Sequence, residues 1–479
     1  MKRVAIVGGG ISGLSAAFSL EEKRHAGAAL DYIVFEASSR LGGVLVTGHA
    51  DGCLIEAGPD SFLTEKPWAI DLCRQVGLGD QLIGSNDSQR KTYILVNGRP
   101  VVMPDGLMFM VPTKILPTVF SPLFSLRTKW KMASEWFHPP HKAKGDETVA
   151  SFVERHYGAE MVDRLADPLL SGVYGGEASN LSLRAVLPRF AEMESKYGSL
   201  GQGMLAARKK MMQMSKAPAR PLFTSLKDGM QQLVDAVLAR LPEENLRPGA
   251  AVNAIRPSDG GWLLKTGDAS EHFDAVIVAT PARAAAKLLQ EASPVLASEL
   301  AGIEYSSSIT VTLGYGPNVR SSLPPGFGFL VPRSQGKRML AATFVHNKFP
   351  HRAPDNRALI RCFLGGARDE QIMNASEDEI VRIVRTELRQ ILGLTAEPLF
   401  VRLYKWKAAM AQYAVGHLDR LQRIQQAVRN LPGLALAGNG YSGIGVPDCV
   451  RSGSEAVATV LVNLGISQPQ AQNKVPQSV

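Results

Sequence analysis

A glycine-rich stretch near the start of the chain has the residue types and the spacing needed to bind phosphate. It reads Gly8-Gly-Gly10-Ile-Ser-Gly13, follows the apolar run Val4–Val7 and precedes a helical pattern that begins at Leu14. Gly8 permits a tight turn, Gly10 lets a pyrophosphate approach the backbone, and Gly13 lets the helix pack closely on the strand. The helix N-terminus then offers unpaired N–H groups and a positive dipole end. The stretch therefore predicts a pyrophosphate site.

An acidic side chain stands where the ribose of a dinucleotide would need it. Glu36 ends the second predicted strand, Tyr32–Glu36, about 20 residues after the glycine loop. A carboxylate there accepts hydrogen bonds from both ribose hydroxyls and repels a 2′-phosphate. A glycine turn that merely packs is the alternative, but the strand before the loop and the helix after it favour ligand binding. We therefore predict an adenine dinucleotide.

A second glycine-rich loop lies near the other end of the sequence. It runs from Gly438 to Gly445, follows the apolar strand Leu434–Ala437 and precedes a helical pattern from Val446 to about Leu464. Pro447 suits a helix start, because its missing N–H would be unpaired there in any case. We expect the two loops to meet in space with the dinucleotide between them.

The segment after Glu36 identifies the class of dinucleotide protein. Glu36-Ala-Ser-Ser-Arg40-Leu-Gly-Gly43 resembles the E-x(3)-R-x-G-G segment of the amine oxidase and phytoene desaturase superfamily of flavoproteins. The resemblance implies FAD, with Arg40 at its pyrophosphate and Val252 at its adenine. It also implies that the second loop directs a helix N-terminus at the flavin, where the dipole stabilises negative charge on reduction. The residues predicted to bind the cofactor are Gly8, Gly9, Gly10, Ile11, Ser12, Gly13, Glu36, Ala37, Arg40, Gly43, Val44, Gly58, Pro59, Asp60, Ser61, Val252, Trp406, Ile444, Gly445 and Val446.

Further motifs narrow the resemblance to one family. Pro168-Leu-Leu-Ser-Gly-Val-Tyr-Gly-Gly176 and Gly440-Tyr-Ser-Gly-Ile-Gly-Val-Pro-Asp-Cys449 are similar to segments of the protoporphyrinogen/coproporphyrinogen oxidases. Gly58–Leu63 and Lys91–Gly98 look closer to the Gram-positive coproporphyrinogen III oxidase branch. The family implies an FAD- and oxygen-dependent, six-electron oxidation of a porphyrinogen to a porphyrin in haem biosynthesis, with release of hydrogen peroxide.

The same resemblance assigns substrate-binding residues. Leu330, Thr343 and Phe363 would form walls around the macrocycle, and Gly172 would offer a carbonyl to the pyrrole N–H groups. No general base is predicted, because flavin N5 accepts the hydride. Thr92 stands where the mitochondrial and plant branch carries an arginine for a propionate, which favours coproporphyrinogen III. The net charge of +9 suits a tetra-anionic substrate, although solubility explains it equally well.

The length of 479 residues and the 45% hydrophobic content predict two or three domains. The fold class expected is α/β (α+β overall), a Rossmann-like FAD-binding domain interleaved with a substrate-binding sheet domain and a helical membrane-binding domain. The predicted segments are 1–72, 226–290 and 404–464 for the FAD-binding domain, 73–95, 186–225 and 291–403 for the substrate domain, 96–185 for the helical domain and 465–479 for a disordered tail.

Charge, cysteines and hydropathy suggest the surroundings of the protein. The basic residues form no long block, so nucleic acid is not an expected partner. Four cysteines without a CxxC pair, and histidines without metal-ligand spacing, predict free buried thiols and no metal. We expect no signal peptide at the start, because three glycines follow the short apolar run Val4–Val7. We expect a cytoplasmic protein peripheral to the cytoplasmic membrane.

The stretch Gly106–Leu126 carries one charge, Lys114, but its three prolines would break a spanning helix. Basic residues and tryptophans follow it, which is typical of a patch that enters one leaflet of an anionic membrane. The stretch could equally form an internal wall of the substrate cavity. The residues of this pattern are Pro112, Pro117, Pro122, Arg127, Lys129, Trp130, Lys131 and Trp136.

Several alternatives stay open from the sequence. The chain could be another flavin amine oxidase or a carotenoid desaturase, or a non-catalytic FAD-binding porphyrin carrier. Coproporphyrinogen or protoporphyrinogen could be preferred, and oxygen or a quinone could accept the electrons. A homodimer and a hand-off of the product to a ferrochelatase are the protein partners expected.

Overall fold

A five-stranded parallel sheet carries both glycine-rich loops at one edge. The computed structural model describes residues 1–108, 110–141, 145–214 and 220–466. The strands are apolar along most of their length, as expected for a parallel sheet covered on both faces. In spatial order they are β12 (Leu246–Pro248), β2 (Leu30–Glu36), β1 (Lys2–Val7), β16 (Ala275–Val278) and β22 (Leu434–Leu436).

Two long helices, α1 (Ile11–His25) and α18 (Val446–Asn463), cover one face of this sheet. They approach closely because α18 carries Gly453, where any Cβ would collide with the Ser12 carbonyl oxygen. The opposite face packs against a three-stranded antiparallel sheet through Trp262 and its neighbours. The strands of that small sheet are β13 (Val252–Ser258), β14 (Gly261–Thr266) and β15 (Ala269–Phe273).

A seven-stranded mixed sheet forms the second layer of the molecule. Its only parallel pair is β18 with β7, and its other neighbours are antiparallel. Helix α16 (Glu377–Leu392) buries its apolar stripe on one face. In spatial order the strands are β21 (Phe400–Ala411), β17 (Tyr305–Tyr315), β20 (Ala358–Gly365), β19 (Met339–Phe344), β18 (Gly328–Leu330), β7 (Thr92–Val96) and β8 (Arg99–Val102).

A helical lobe builds its own core between the second sheet and solvent. A π-helical stretch, Val162–Ala166, leads into its central helix. The lobe contains α3 (Ile115–Phe120), α4 (Leu126–Ser134), α5 (Val149–Tyr157), α6 (Ala159–Met161), α7 (Asp167–Tyr174), α8 (Leu183–Val186), α9 (Pro188–Tyr197) and α10 (Leu200–Met214).

The remaining elements are short or connect the layers. The strands are β3 (Thr47–Ala50) with β4 (Cys53–Glu56), β5 (Phe62–Leu63) with β11 (Phe223–Leu226) and β6 (Leu82–Gly84), and β9 (Leu107–Met108) with β10 (Val111–Pro112). The helices are α2 (Trp68–Gln75), α11 (Gln231–Leu238), α12 (Ala282–Leu288), α13 (Pro294–Ala301), α14 (Pro317–Ser322), α15 (Val345–Lys348) and α17 (His417–Arg429).

The predicted fold class is confirmed. The two large sheets draw their strands from widely separated stretches of chain, while the predicted domain boundaries and the membrane role of the helical lobe stay predictions. Within the residues given above, no helix is long and apolar enough to cross a membrane. All four cysteines are free and buried, as predicted. Of the predicted disordered tail, residues 467–479 lie outside the described residues.

Candidate functional site

The first glycine loop turns at the carboxyl end of β1. Gly8 has a φ of +112°, and a Cβ there would lie 2.7 Å from the Ala279 carbonyl oxygen. A Cβ at Gly13 would collide with the Gly8 carbonyl oxygen, whereas one at Gly10 would meet nothing within 4 Å. Gly8 and Gly13 therefore serve the packing of the turn, and Gly10 faces open space. Helix α1 starts next to that space at Ile11, with no side-chain cap and no acidic residue in its first turn.

Glu36 lies directly beside the loop. One of its carboxylate oxygens accepts the Gly9 N–H at 2.7 Å. The other accepts the backbone N–H and the hydroxyl of Ser38, both at 2.8 Å. These bonds orient the carboxylate and leave it with further acceptor capacity. Gly249, which precedes β13 and Val252, donates its N–H to the Ser38 carbonyl at 2.8 Å, so the predicted adenine strand begins next to the predicted ribose acid.

A second glycine turn closes onto the first. Gly42 donates its N–H to the Gly9 carbonyl at 2.7 Å, and a Cβ at Gly43 would lie 3.2 Å from Gly10 Cα. The Arg40 guanidinium donates to three carbonyl oxygens of its own turn, those of Leu41, Gly43 and Leu45. Arg40 therefore shapes the turn that borders the open space. A Cβ at Gly58 would collide with the Val44 carbonyl oxygen, which brings the next predicted segment into contact as well.

The turn after Ala57 is held by the seven-stranded sheet. The Ala57 carbonyl accepts the Trp406 indole N–H at 2.8 Å and the Thr310 hydroxyl at 2.9 Å. The Arg361 guanidinium donates to the Gly58 carbonyl. Trp406, predicted to lie by the flavin, thus anchors the turn through its ring nitrogen. Pro59 lies on this turn between two anchored residues.

Charged side chains fix the end of the same turn. The Lys348 ammonium lies 3.0 Å from an Asp60 carboxylate oxygen and 3.1 Å from the Ser61 hydroxyl. Burial alone would raise the pKa of Asp60, but Lys348, with Arg361 and Arg352, lowers it well below its ordinary value. Asp60 is therefore ionised and paired.

A side chain just after β21 and one at the start of α17 hold the second glycine loop. The Tyr413 hydroxyl donates to the Asn439 carbonyl and accepts the Gly443 N–H, both at 2.8 Å. The His417 ring stacks on Tyr413 with centroids 4.1 Å apart, and its Nε2 lies 3.0 Å from the Tyr441 carbonyl oxygen. Tyr413 and His417 together thus hold three backbone positions of this loop, Asn439, Tyr441 and Gly443.

The start of α18 is organised by one carboxylate. Asp448 accepts the Gly445 N–H at 3.2 Å and pairs with the Lys66 ammonium at 2.6 Å. The helix begins at Val446, with Pro447 in its first turn, as the sequence predicts. Ile444 packs against the core of the helical lobe.

Both loops border the same strand end. The Cβ of a residue at Gly8 would contact Ala279, and that of a residue at Gly438 would lie 3.9 Å from the Thr280 carbonyl oxygen. The buried Thr280 hydroxyl has no hydrogen-bond partner in the part of the chain that the structure describes. The open face at Gly10, the uncapped N-terminus of α1 and this unpaired hydroxyl fit a dinucleotide between the loops, whose position stays a prediction.

The predicted substrate residues share one face of the seven-stranded sheet. Leu330 pairs with Ala341, and Ala341 pairs with Phe363 across three strands. Thr343 stands two positions from Ala341 on β19, and therefore on the same face. All three predicted wall residues are half-buried. Helix α7 packs against β18 and β19, and a Cβ at its Gly172 would meet nothing within 4 Å. The structure thus places Leu330, Thr343 and Phe363 on one face and α7 against two of the strands that carry them.

Sequence reasoning missed the side chains that hold the turn from Ala57 to Ser61 and the second glycine loop. Arg361, Lys348 and Thr310 hold the turn, and Tyr413 and Asp448 hold the loop. Arg361 could have been identified from the sequence, because it is the only charged residue in the buried strand Ala-Leu-Ile-Arg-Cys-Phe-Leu-Gly. Such a residue in an apolar strand indicates a buried polar partner. The other four supporting residues carry no comparable local pattern.

Comparisons with known proteins agree with this geometry. The family model of flavin-containing amine oxidoreductases matches residues 11–461. Coproporphyrinogen III oxidase of Bacillus subtilis is 35% identical over 97% of this chain and 98% of its own. Mitochondrial protoporphyrinogen oxidase of Nicotiana tabacum is 31% identical over 96% of this chain and 95% of its own.

Solved structures also resemble this chain over nearly its full length. A proposed protoporphyrinogen oxidase of Exiguobacterium superposes with a TM-score of 0.86 at 31% identity, covering 97% of this chain and 99% of its own. Cyclohexylamine oxidase of Brevibacterium oxydans, at 19% identity, covers 97% of this chain and 99% of its own, and its TM-score of 0.68 shows a shared fold alone. The predicted resemblance and the predicted cofactor are confirmed: the chain belongs to the family of flavin-containing amine oxidoreductases, and its cofactor is FAD.

Proposed function

We propose that this protein oxidises a porphyrinogen to the corresponding porphyrin in haem biosynthesis, with coproporphyrinogen III as the preferred substrate. The observation that carries the proposal is the shared sheet face of Leu330, Thr343 and Phe363. On this face Leu330 packs against the core of the helical lobe, and Phe363 pairs with Thr310, whose hydroxyl donates to the Ala57 carbonyl. The apolar side chains of Leu330 and Phe363 suit a large macrocycle. The near-full-length similarity to oxidases of both porphyrinogens supports the same substrate class.

The residues of this chain bind and orient the substrate. Leu330, Thr343 and Phe363 would contact the disc, and the Gly172 carbonyl would accept pyrrole N–H groups. FAD, when bound, supplies the acceptor for three successive two-electron oxidations, with dioxygen as the final acceptor and hydrogen peroxide as by-product. Proximity and orientation are then the contribution of the protein to the rate. The product would pass to a ferrochelatase.

The preference for coproporphyrinogen III rests on the first strand of the substrate sheet. Thr92 begins β7 and pairs with Gly328, and Arg90 and Lys91 before it are exposed. A neutral threonine cannot bind a propionate as an arginine does, while the two exposed cations attract a substrate with four carboxylates over a longer range.

The test uses the purified, FAD-loaded protein with each porphyrinogen in air. Coproporphyrin fluorescence should appear faster than protoporphyrin fluorescence, and faster than with heat-inactivated protein. Phe363→Ala should raise the KM for the porphyrinogen several-fold while FAD stays bound. The matched control is Cys362→Ala, because Cys362 is buried on the opposite face of the same strand. Bound FAD without fluorescence from either substrate would contradict the proposal and favour a desaturase or a carrier.

We also propose that the helical lobe attaches to an anionic membrane surface. The stretch Gly106–Leu126 divides into two parts: Leu123 and Phe124 are buried in the lobe, whereas Leu116 and Phe120 are exposed. The buried part thus suits the alternative of an internal wall, and the exposed part suits the alternative of a membrane patch. Large apolar side chains continue along the exposed part, namely Leu126, Trp130 and Phe137, each more than 70% exposed. The basic residues Arg127 and Lys129 lie among them.

Vesicle flotation tests this attachment. The double variant Phe120→Ser and Phe137→Ser should lose most binding to vesicles of anionic phospholipid, because both rings are over 80% exposed and available for insertion. Phe124→Leu is the control, since Phe124 is 3% exposed and the change should leave flotation intact. Equal flotation of the double variant and the wild type would contradict the attachment.

A further inference from the structure

Arg361 is a buried guanidinium without a carboxylate partner. It is 4% exposed and lies in an otherwise apolar strand. One terminal nitrogen, Nη2, donates to the backbone carbonyls of both Ala57 and Gly58. No carboxylate of the described residues forms an ion pair with it, in contrast to Arg352 and Lys348 nearby. Asp60 and Glu56 act on Arg361 only from beyond ion-pair distance, and a buried charge without a direct partner is unfavourable, so a compensating group is expected.

Three unpaired donors surround a small cavity beside this guanidinium. Arg361 Nε, Arg352 Nε and the Thr312 hydroxyl are all buried, and none has a hydrogen-bond partner among residues 1–108, 110–141, 145–214 and 220–466. All three residues line one cavity, together with Glu56 and Asp60. The donors come from β20, the 3₁₀ turn Pro350–Arg352 and β17, which makes their convergence a property of the tertiary structure.

The charges around the cavity do not balance. Lys348, Arg352 and Arg361 face two carboxylates. Asp60 is already paired with Lys348. Glu56 accepts from Arg352 at 3.1 Å, from the Met230 N–H and from the Thr47 hydroxyl. At least one positive charge is therefore left without a partner.

We propose that this cavity binds a single monatomic anion, chloride or a similar halide, between Arg361 Nε, Arg352 Nε and the Thr312 hydroxyl. The free space is about 10 Å³, so only a single small particle can enter without displacing the side chains that line the cavity. A carboxylate or a phosphate does not fit that space. A water molecule would pair the donors but leave the charge uncompensated, which is why an anion is preferred.

The anion site lies directly behind the turn that borders the flavin site. Arg361 donates to Gly58 on one side and lines the cavity on the other. An occupied site would hold the guanidinium in place and, through it, the turn from Ala57 to Ser61. Binding to the folded state alone raises stability with anion concentration. We therefore expect the holoenzyme to gain thermal stability from halide, beyond the effect of ionic strength.

Bromide crystallography tests the site directly. Crystals of the FAD-loaded protein grown in sodium bromide, measured at the bromine absorption edge, should show an anomalous peak in this cavity, within hydrogen-bond reach of both Nε atoms. Electron density there without anomalous signal would identify a water molecule and overturn the proposal. An empty cavity would overturn it as well.

Thermal unfolding provides the second readout. The Tm of the holoenzyme is followed from low to high sodium chloride, with sodium gluconate holding ionic strength constant. Thr312→Val should shift the halide dependence to about tenfold higher concentration, since a hydrogen bond to a charged group is lost. Thr310→Val is the control on the same strand, because its hydroxyl is used by Ala57 at 2.9 Å. That variant should lower the Tm and keep the halide dependence. Equal halide dependence in Thr312→Val and the wild type would overturn the site.

Discussion

The two glycine-rich loops border the same strand end but are built in different ways. The loop Gly8–Gly13 is shaped mainly by its own backbone, because Gly13 packs on Gly8 and the adjacent helix needs no side-chain cap. The loop Gly438–Gly445 is shaped by side chains from elsewhere, above all Tyr413. A phosphate needs close backbone approach, which local glycines supply. A flavin ring edge needs a helix end at a set position, which requires long-range support.

The largest effect expected from this contrast is at Gly13. A Cβ there would collide with the Gly8 carbonyl oxygen, so Gly13→Ala must displace backbone. The free energy of unfolding of the apoprotein should fall by about 3 kcal/mol, measured by urea denaturation. Gly10→Ala is the matched control, since its Cβ meets nothing within 4 Å. Equal losses in both variants would contradict the separate roles assigned to the two glycines.

Gly10→Val should separate cofactor binding from folding. The added side chain enters the open space at the N-terminus of α1, where the pyrophosphate is expected, and the protein should purify soluble and colourless. FAD affinity should fall at least about 100-fold, or about 3 kcal/mol, while far-ultraviolet circular dichroism stays unchanged. A yellow protein with normal FAD content would refute the phosphate role of this loop.

A smaller effect is expected at the start of α18. Asp448→Asn weakens the hydrogen bond from the Gly445 N–H and removes the ion pair with Lys66. The free energy of unfolding should fall by about 1–2 kcal/mol, and FAD should dissociate faster. Glu455→Gln on the same helix is the control, because its carboxylate is 60% exposed and surface pairs contribute little. If both variants behaved alike, Asp448 would have no special role.

The smallest effect concerns two tyrosines of the second site. Tyr413→Phe leaves the Asn439 carbonyl and the Gly443 N–H without their shared hydroxyl. FAD affinity should fall by about 1 kcal/mol, measured by flavin fluorescence titration. Tyr441→Phe should change it by less, because the buried Tyr441 hydroxyl has no partner in the described part of the chain. A larger loss of FAD affinity in Tyr441→Phe than in Tyr413→Phe would show that Tyr413 does not hold this loop.

Local patterns explain which features the sequence could predict. The apolar run before Gly8 became β1, the run ending at Glu36 became β2, and the start of α18 lies at Val446 as expected. Each depends on neighbouring residues only, through hydrophobic periodicity and helix-start chemistry. The prolines of Gly106–Leu126 limited α3 to six residues for the same local reason.

Other features depend on residues that the chain separates widely. The sequence by itself determined the two glycine-rich loops, each between a strand and a helix, because turn, strand and helix signals are local. Only the tertiary structure decided that Arg361 reaches the Gly58 carbonyl and that Phe120 is exposed where Phe124 is buried. Which side chains meet across strands depends on packing and on the need to pair buried polar groups. The spacing of neighbouring residues contains no information on either.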